Sequence, residues 1–296
     1  MQFRDIVALI LLIAVALGGQ LLRSDPDTPI PPPQADNPRR PAPQAFTDQP
    51  WDAETRAWLE SRPSAGPRKS ADWIAPERNA YVDLPKRRGS GTGTAFAVGD
   101  GKWLTARHVT DGCSEIALQT APGKGIRVSS AVNHPNADVA LLTTRSGPIP
   151  FPLGTDAARG DDGYLIGFPK GKPGAVHVSM IGTTTLREGG RYQTRERASV
   201  WSERSRIPGQ FGSLGGLSGG PTFSADGRLA GVVLAEEPRR GRVLTAEVAT
   251  LGQMINQAGP APQTRPADKL SSDSYPKIAR ELLTSLRIAK VLCRVR

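Results

Sequence analysis

The chain has 296 residues, with 38 Lys and Arg against 28 Asp and Glu, giving a formal charge of +10 and a pI near 10.0. Such a surplus invites a nucleic-acid reading, but the cations are scattered, mostly Arg beside Pro and Gly, with no basic stripe interleaved with aromatics, so that role is set aside. Two cysteines and three histidines, none at zinc-ligand spacing, give no basis for a metal site.

Residues 1–22 join a short charged start, Met1 to Asp5, to an apolar run from Ile6 to Leu17. That run has the length of a signal-peptide core, and extended to Leu22 it reaches the lower limit of a membrane span, ~17 residues. Ala14-Val15-Ala16 and Ala16-Leu17-Gly18 are both small-x-small cleavage sites, so a cleaved signal and a retained anchor are both open, and the reading favoured is an anchor. The expected location is outside the cytoplasm: periplasmic and tethered to the inner membrane, or secreted where the signal is removed. Residues 23–50 are punctuated by prolines, among them Pro31-Pro32-Pro33, and read as a semi-rigid spacer. Residues 51–88 form an N-terminal extension, with a short helix expected over Trp51 to Leu59 and Trp73-Ile74-Ala75-Pro76 pinning the extension against the domain that begins at residue 89.

From residue 89 to 259 the pattern becomes that of short strands and turns. Gly89 to Val98 reads as a strand, and the stretch from Gly101 to Val109 holds a second that delivers Thr105-Ala106-Arg107-His108, with His108 at the strand end. Strands are also expected at Glu115 to Leu118, Gly125 to Val128 and Val139 to Leu142, the last entered through Asn136-Ala137-Asp138. Further on come Gly163 to Gly167, Leu229 to Leu234 and Arg242 to Val248, with a hairpin turn at Asp226-Gly227 and a short closing helix over Thr250 to Gln257. His134, in a His-Pro turn, and His177, in the alternating run Ala175 to Met180, read as structural or solvent-facing.

The most informative stretch is Gly216-Leu217-Ser218-Gly219-Gly220-Pro221. A serine hydroxyl is a weak nucleophile, and its attack on a carbonyl creates an oxyanion that needs nearby N–H donors; flanking glycines let the backbone turn sharply enough to supply them. With Thr105-Ala106-Arg107-His108 and Asp138-Val139-Ala140-Leu141-Leu142 upstream, the order is His108, Asp138, Ser218. On these motifs residues 89–259 resemble the trypsin-like peptidases, and their bacterial HtrA-like branch more than the digestive enzymes.

The resemblance implies an all-β fold of two six-stranded antiparallel β-barrels, chymotrypsin-like, with the active site between them. It implies a serine endopeptidase acting on protein or peptide substrates outside the cytoplasm through an acyl-enzyme, with Ser218 as nucleophile, His108 as base and Asp138 as its orienter. The oxyanion donors would be the N–H groups of Gly216 and Ser218, and no metal or cofactor is needed. The alternative is a catalytically silent, membrane-tethered scaffold of the same fold. Two departures carry weight. Leu217 stands where digestive relatives have an acid that pairs with a freshly cut amino terminus, so that mode of activation is not expected. Gly212 stands where trypsin has the acid that selects Lys or Arg, and Arg242 falls near the far wall of the same specificity pocket, narrowing it, favouring an acidic side chain, or facing solvent. No segment is large and apolar enough for a PDZ domain, and oligomeric state is not legible.

Residues 260–273 are a second linker, and residues 274–296 are expected to form one amphipathic helix, with Tyr275, Ile278, Leu282, Leu286, Ala289 and Cys293 at three- and four-residue steps. Pro276 fits only in its first turn. The two cysteines allow a single pairing, and in an oxidising compartment Cys113 and Cys293 are expected to form a disulfide that clamps this tail to the first barrel; two free buried thiols are the alternative.

Overall fold

The computed structural model describes residues 61–65, 76–84, 86, 89–209, 212–259 and 263–296. The expected membrane segment, the Pro-rich spacer, the helix over Trp51 to Leu59 and the Trp73-Ile74-Ala75 pin lie outside these residues. No helix among the described residues is long and apolar enough to cross a membrane.

The strands group into two sheets. The first holds β3 (Gly91–Gly99), β4 (Lys102–Ala106), β5 (Glu115–Ala121), β6 (Lys124–Arg127), β7 (Ser130–Asn133), β8 (Val139–Thr143) and β15 (Ile288–Arg294), in the order β6-β5-β15-β3-β4-β8-β7. The second holds β1 (Ser64–Ala65), β2 (Asn79–Leu84), β9 (Asp162–Gly167), β10 (Gly174–Gly190), β11 (Thr194–Ile207), β12 (Pro221–Phe223), β13 (Leu229–Glu237) and β14 (Arg242–Ala246). The α-helices among the described residues are α1 (Arg107–Thr110), α2 (Val248–Ala258) and α3 (Tyr275–Thr284).

In the second sheet β9 to β14 form a closed ring, because β10 pairs with both β9 and β11; β1 and β2 are added to it from the N-terminal extension. In the first sheet β6 and β7 are separated only by Val128 and Ser129 yet occupy opposite edges, so one bent stretch wraps the sheet round on itself. With that stretch taken as one strand, each sheet is a six-stranded barrel. Each interior is filled from alternate positions: Phe96, Leu104, Leu118 and Leu142 in the first, and Leu165, Val176, Val178, Trp201 and Val243 in the second. The two buried indoles find partners, Trp103 donating to Thr144 Oγ1 and Trp201 to Thr245 Oγ1, both at 2.9 Å, so neither barrel carries an unmet indole N–H.

The tail differs from the sequence expectation. The helix begins as expected after Ser274 with Pro276 in its first turn, but it ends at Thr284. Leu286 turns the chain with φ +55, and residues 288–294 form a strand seated between β3 and β5. The three- and four-residue spacing of Leu282, Leu286, Ala289 and Cys293 is real, but Ile288 and Val291 are β-branched, and a slot with a strand on each side satisfies every backbone group that a helix would. Cys293 is bonded to Cys113, so the disulfide ties a strand, rather than a helix, to the turn after α1.

Arg287, at the entrance to β15, explains how the second linker is held. Its guanidinium lies 3.8 Å from the centre of the Phe151 ring and donates to the carbonyls of Ile149, Pro150 and Arg265. Burial, then the charge of Arg265, lowers its pKa to about 10, with Asp268 opposing.

The disulfide closes a loop 180 residues long. Cys293→Ser should therefore cost about 5 kcal/mol of stability in the chain-entropy account. Denaturant melts of variant and wild type without reductant will measure it. The two should coincide once reductant is added, and a wild type insensitive to reductant would show that the bridge contributes nothing.

Candidate active site

His108 is the second residue of α1, the short turn entered directly from β4. Asp138 precedes β8, the strand paired with β4. Adjacent strands thus bring their C-terminal and N-terminal ends together, and Asp138 accepts from the His108 backbone N–H at 2.8 Å while its other oxygen faces His108 Nδ1 at 2.5 Å. The Arg107 N–H donates to the Asp138 carbonyl, fixing the same register from the backbone side. Asp138 has no exposed surface, whereas the His108 side chain keeps 19 % of its own.

A carboxylate so buried carries a desolvation cost of several kcal/mol unless it is met by hydrogen bonds, each worth about 1.5–3 kcal/mol to a charged acceptor. It is met. A third donor, the Tyr192 hydroxyl, lies 2.6 Å from Oδ1. Burial pushes the Asp138 pKa up, but the charge of His108 and these hydrogen bonds outweigh it, and Asp138 is held below the ordinary carboxylate range. Burial in turn pulls His108 down, and the charge and hydrogen bond of Asp138 reverse this, leaving the imidazole above its ordinary 6.5.

Ser218 sits in the turn before β12, half-buried, and this turn is fastened to the first barrel. The Thr94 N–H donates to the Ser218 carbonyl at 2.9 Å, and the Thr94 hydroxyl donates to the Gly216 carbonyl at 2.8 Å. Thr94 is itself gripped by Thr105 Oγ1, on the strand that leads to His108. Gly219 is required at this crossing. Its φ is +81, and a Cβ there would lie 2.2 Å from Thr105 Oγ1 and 2.3 Å from the Thr94 carbonyl.

Leu217 is fully buried in the second barrel's core beside Trp201 and Val233, so it anchors the turn by packing. Glu236 secures the approach: its carboxylate accepts from the Leu214 N–H at 2.8 Å and the Ser213 hydroxyl at 3.2 Å. The N–H groups of Leu217, Gly219 and Gly220 are taken up by the carbonyls of Leu214, Val233 and Leu217, whereas those of Gly216 and Ser218 donate to no backbone carbonyl among the described residues. Gly212 and Arg242 line one cavity of about 390 Å³ together with Glu203, Arg206, Glu236 and Arg239. Gly212 is exposed and Arg242 is buried, so the solvent-facing alternative for Arg242 does not hold.

Residues 93–232 match the model of the trypsin-like peptidase domain. The match spans just under half of the chain. Among solved structures it is similar to the active form of the Rv3671c protease from M. tuberculosis, at 20 % identity over 61 % of this chain and 76 % of that one, with a TM-score of 0.49. It is also similar to the HtrA-type protease AlgW with a decapeptide, at 23 % identity over 56 % of this chain and 52 % of that one, TM-score 0.43. A third likeness is to the MamO protease domain from Magnetospirillum magneticum, at 18 % identity over 56 % and 94 %, TM-score 0.43. No curated protein matches the chain in sequence.

Within the matched residues, sequence reasoning missed the groups behind Asp138. The hairpin of β10 and β11 carries not only Tyr192 but also Glu196, whose Oε1 accepts the Asp138 N–H at 2.7 Å, and Glu188, bonded to the Thr194 hydroxyl. A signal was present: in Thr194-Arg195-Glu196-Arg197-Ala198 the arginines alternate outward, which turns Glu196 inward. His134 and His177 are structural, His134 paired with Gln253 and His177 stacked on Tyr164 and facing Asp162.

Burial raises Glu196 to about 8, with the Asp138 N–H opposing and the Asp138 charge adding to it. The unfolded value is 4.5, so between the two the folded protein holds a proton that the unfolded chain has released, and this contribution to stability falls as pH rises. Glu196→Gln keeps the shape and cannot ionise. Its Tm relative to wild type should therefore climb between about pH 5 and about pH 8. Thermal melts across that range test this, and a constant difference would show that Glu196 titrates normally.

Proposed function

We propose that the domain is a serine endopeptidase that hydrolyses peptide bonds of proteins outside the cytoplasm. The observation that carries this reading is the buried, ionised Asp138 bonded to His108 Nδ1, with the Ser218 turn fastened through Thr94 to the strand that leads into His108. With Nδ1–H committed to Asp138, the neutral imidazole keeps its lone pair on Nε2, where a base for a serine hydroxyl needs it. Ser218 Oγ attacks the substrate carbonyl and His108 takes its proton. The tetrahedral oxyanion is received by the N–H groups of Gly216 and Ser218. His108 then protonates the leaving amine, and water repeats the sequence to release the acyl group.

Loop order in this reading comes from within the chain. Leu217 by packing, and Glu236 by accepting from Leu214 and Ser213, take the place of an ion pair to a cut amino terminus. The cavity holding Gly212 and Arg242 is the proposed specificity pocket. Its charges are partly engaged internally, since Glu203 and Arg206 form a buried bidentate pair, so the pocket is neither a simple anion nor a simple cation receptor. The Cys113–Cys293 bridge and the apolar residues 6–17 support a site of action outside the cytoplasm, with the N-terminal segment as an inner-membrane anchor.

A fluorophosphonate probe should label the purified protein, and Ser218→Ala should abolish both labelling and cleavage of a peptide library. Proteolysis that survives Ser218→Ala would end the assignment, and a wild type without turnover would favour the silent scaffold. Because the His108 pKa is raised, activity should fall as pH drops through a midpoint above 6.5, where the base becomes protonated. A pH profile of kcat/KM reads this directly; a midpoint below 6.5 would mean that burial, not Asp138, governs His108.

A further inference from the structure

We propose that Tyr192, carried on the tip of the β10–β11 hairpin and seated there by β2, is a positioning residue for the His108–Asp138 pair. The proposal rests on the reading of those two residues as base and orienter. It goes beyond that reading by assigning control of the pair to a distant hairpin and to the N-terminal extension that grips it.

The hairpin belongs to the second barrel, yet its tip reaches the first and holds it at three places. The Tyr192 hydroxyl donates to Asp138 Oδ1 at 2.6 Å, and the Arg195 N–H donates to the Asn136 carbonyl at 3.2 Å. Arg191 donates to the carbonyls of Asp111 at 3.0 Å and His108 at 3.3 Å, and its Nε lies 3.4 Å from the Asp111 carboxylate. The tip therefore touches both the segment that presents Asp138 and the turn that presents His108. The Tyr192 ring is fixed between cations, with the Arg107 guanidinium 3.9 Å from its centre.

What seats the tip is β2. It runs parallel to β10 from Asn79 opposite Thr185 to Leu84 opposite Gly190, and the Leu84 carbonyl accepts the Arg191 N–H at 2.8 Å. Gly190 has φ +90, and a Cβ there would lie 2.5 Å from the Leu84 carbonyl oxygen. Only glycine lets the chain bend beneath β2 and present Arg191 and Tyr192 to the first barrel.

The groups that face the pair are Tyr192, Glu188, Glu196 and Arg191 from the hairpin, Arg107 from α1 and Asp111 just after it, with Glu247 acting on Glu196 from beyond. Glu188 is raised to about 8 by burial and then by the charge of Asp138, so at neutral pH it stands beside Asp138 without adding a second negative charge. Tyr192 places a neutral hydroxyl donor on the same oxygen that receives the His108 backbone N–H. Removing it leaves more negative potential on Asp138, which favours the imidazolium and raises the His108 midpoint.

The test is Tyr192→Phe in the full chain, which keeps the ring over Arg107 and deletes only the donor. NMR titration of His108 should show its midpoint rise by about half a pH unit. In turnover, kcat should fall about tenfold or more with KM within about twofold, the loss expected for a hydrogen bond to a charged group. Gly190→Ala should reproduce the titration shift by displacing the tip, and combining it with Tyr192→Phe should add little, because both remove one contact. If Gly190→Ala fails to fold, Tyr192→Phe still decides. An unmoved His108 midpoint in Tyr192→Phe overturns the proposal, whatever happens to kcat. A wild type that cleaves no peptide, but whose His108 midpoint rises in Tyr192→Phe, removes the peptidase reading and keeps the positioning one.

Discussion

A carboxylate with no exposed surface, Asp138, is the constraint around which the site is organised. Taken from water, such a group neutralises unless donors surround it. The protein supplies those donors from both barrels: the His108 backbone and ring from the first, and the Tyr192 hydroxyl from the second. The carboxyls of Glu188 and Glu196, pushed up to about 8, share the neighbourhood by remaining protonated at neutral pH. One charge is kept where three carboxyls meet, and it lies against the imidazole.

The Ser218 turn obeys a different logic, since it is held by packing and neutral hydrogen bonds more than by charge. Its position is set by packing beneath, through Leu217, and by hydrogen bonds on either side, through Thr94 from the first barrel and Glu236 from the second. Thr94 is the shared element here. Its N–H, carbonyl and hydroxyl are all engaged, with Ser218, Thr105, and Gly216 and Phe168, so a single residue couples the strand beneath His108 to the turn beneath Ser218.

The parts of the site that could be read from sequence are those whose chemistry lies within a few consecutive residues. Thr105-Ala106-Arg107-His108, Asp138-Val139-Ala140-Leu141-Leu142 and Gly216 to Pro221 each carry their own strand or turn, and the structure joins His108 to Asp138 directly. The Cys113–Cys293 pairing was legible because two cysteines leave no choice. Tyr192 and Glu196 were not, since they meet Asp138 across 54 and 58 residues, and the outward arginines beside Glu196 turn it inward without specifying its partner. The tail misled for another reason. A seven-residue, mostly apolar segment such as Ile288 to Arg294 satisfies helical spacing and strand propensity alike, and the slot between β3 and β5 decides between them.

That slot has a consequence for how the molecule comes into being. The barrel bearing His108 and Asp138 takes its sixth strand from residues 288–294, which pair with β3 across about two hundred residues of intervening chain. A growing polypeptide that has already completed the Ser218 turn still has a gap between β3 and β5, with the edges of both strands unpaired. Synthesis in chain order thus delivers the Ser218 turn before residues 288–294, the strand that shuts the gap. A chain that stops short of residue 288 holds His108, Asp138 and Ser218 and lacks the strand that closes the barrel carrying the first two.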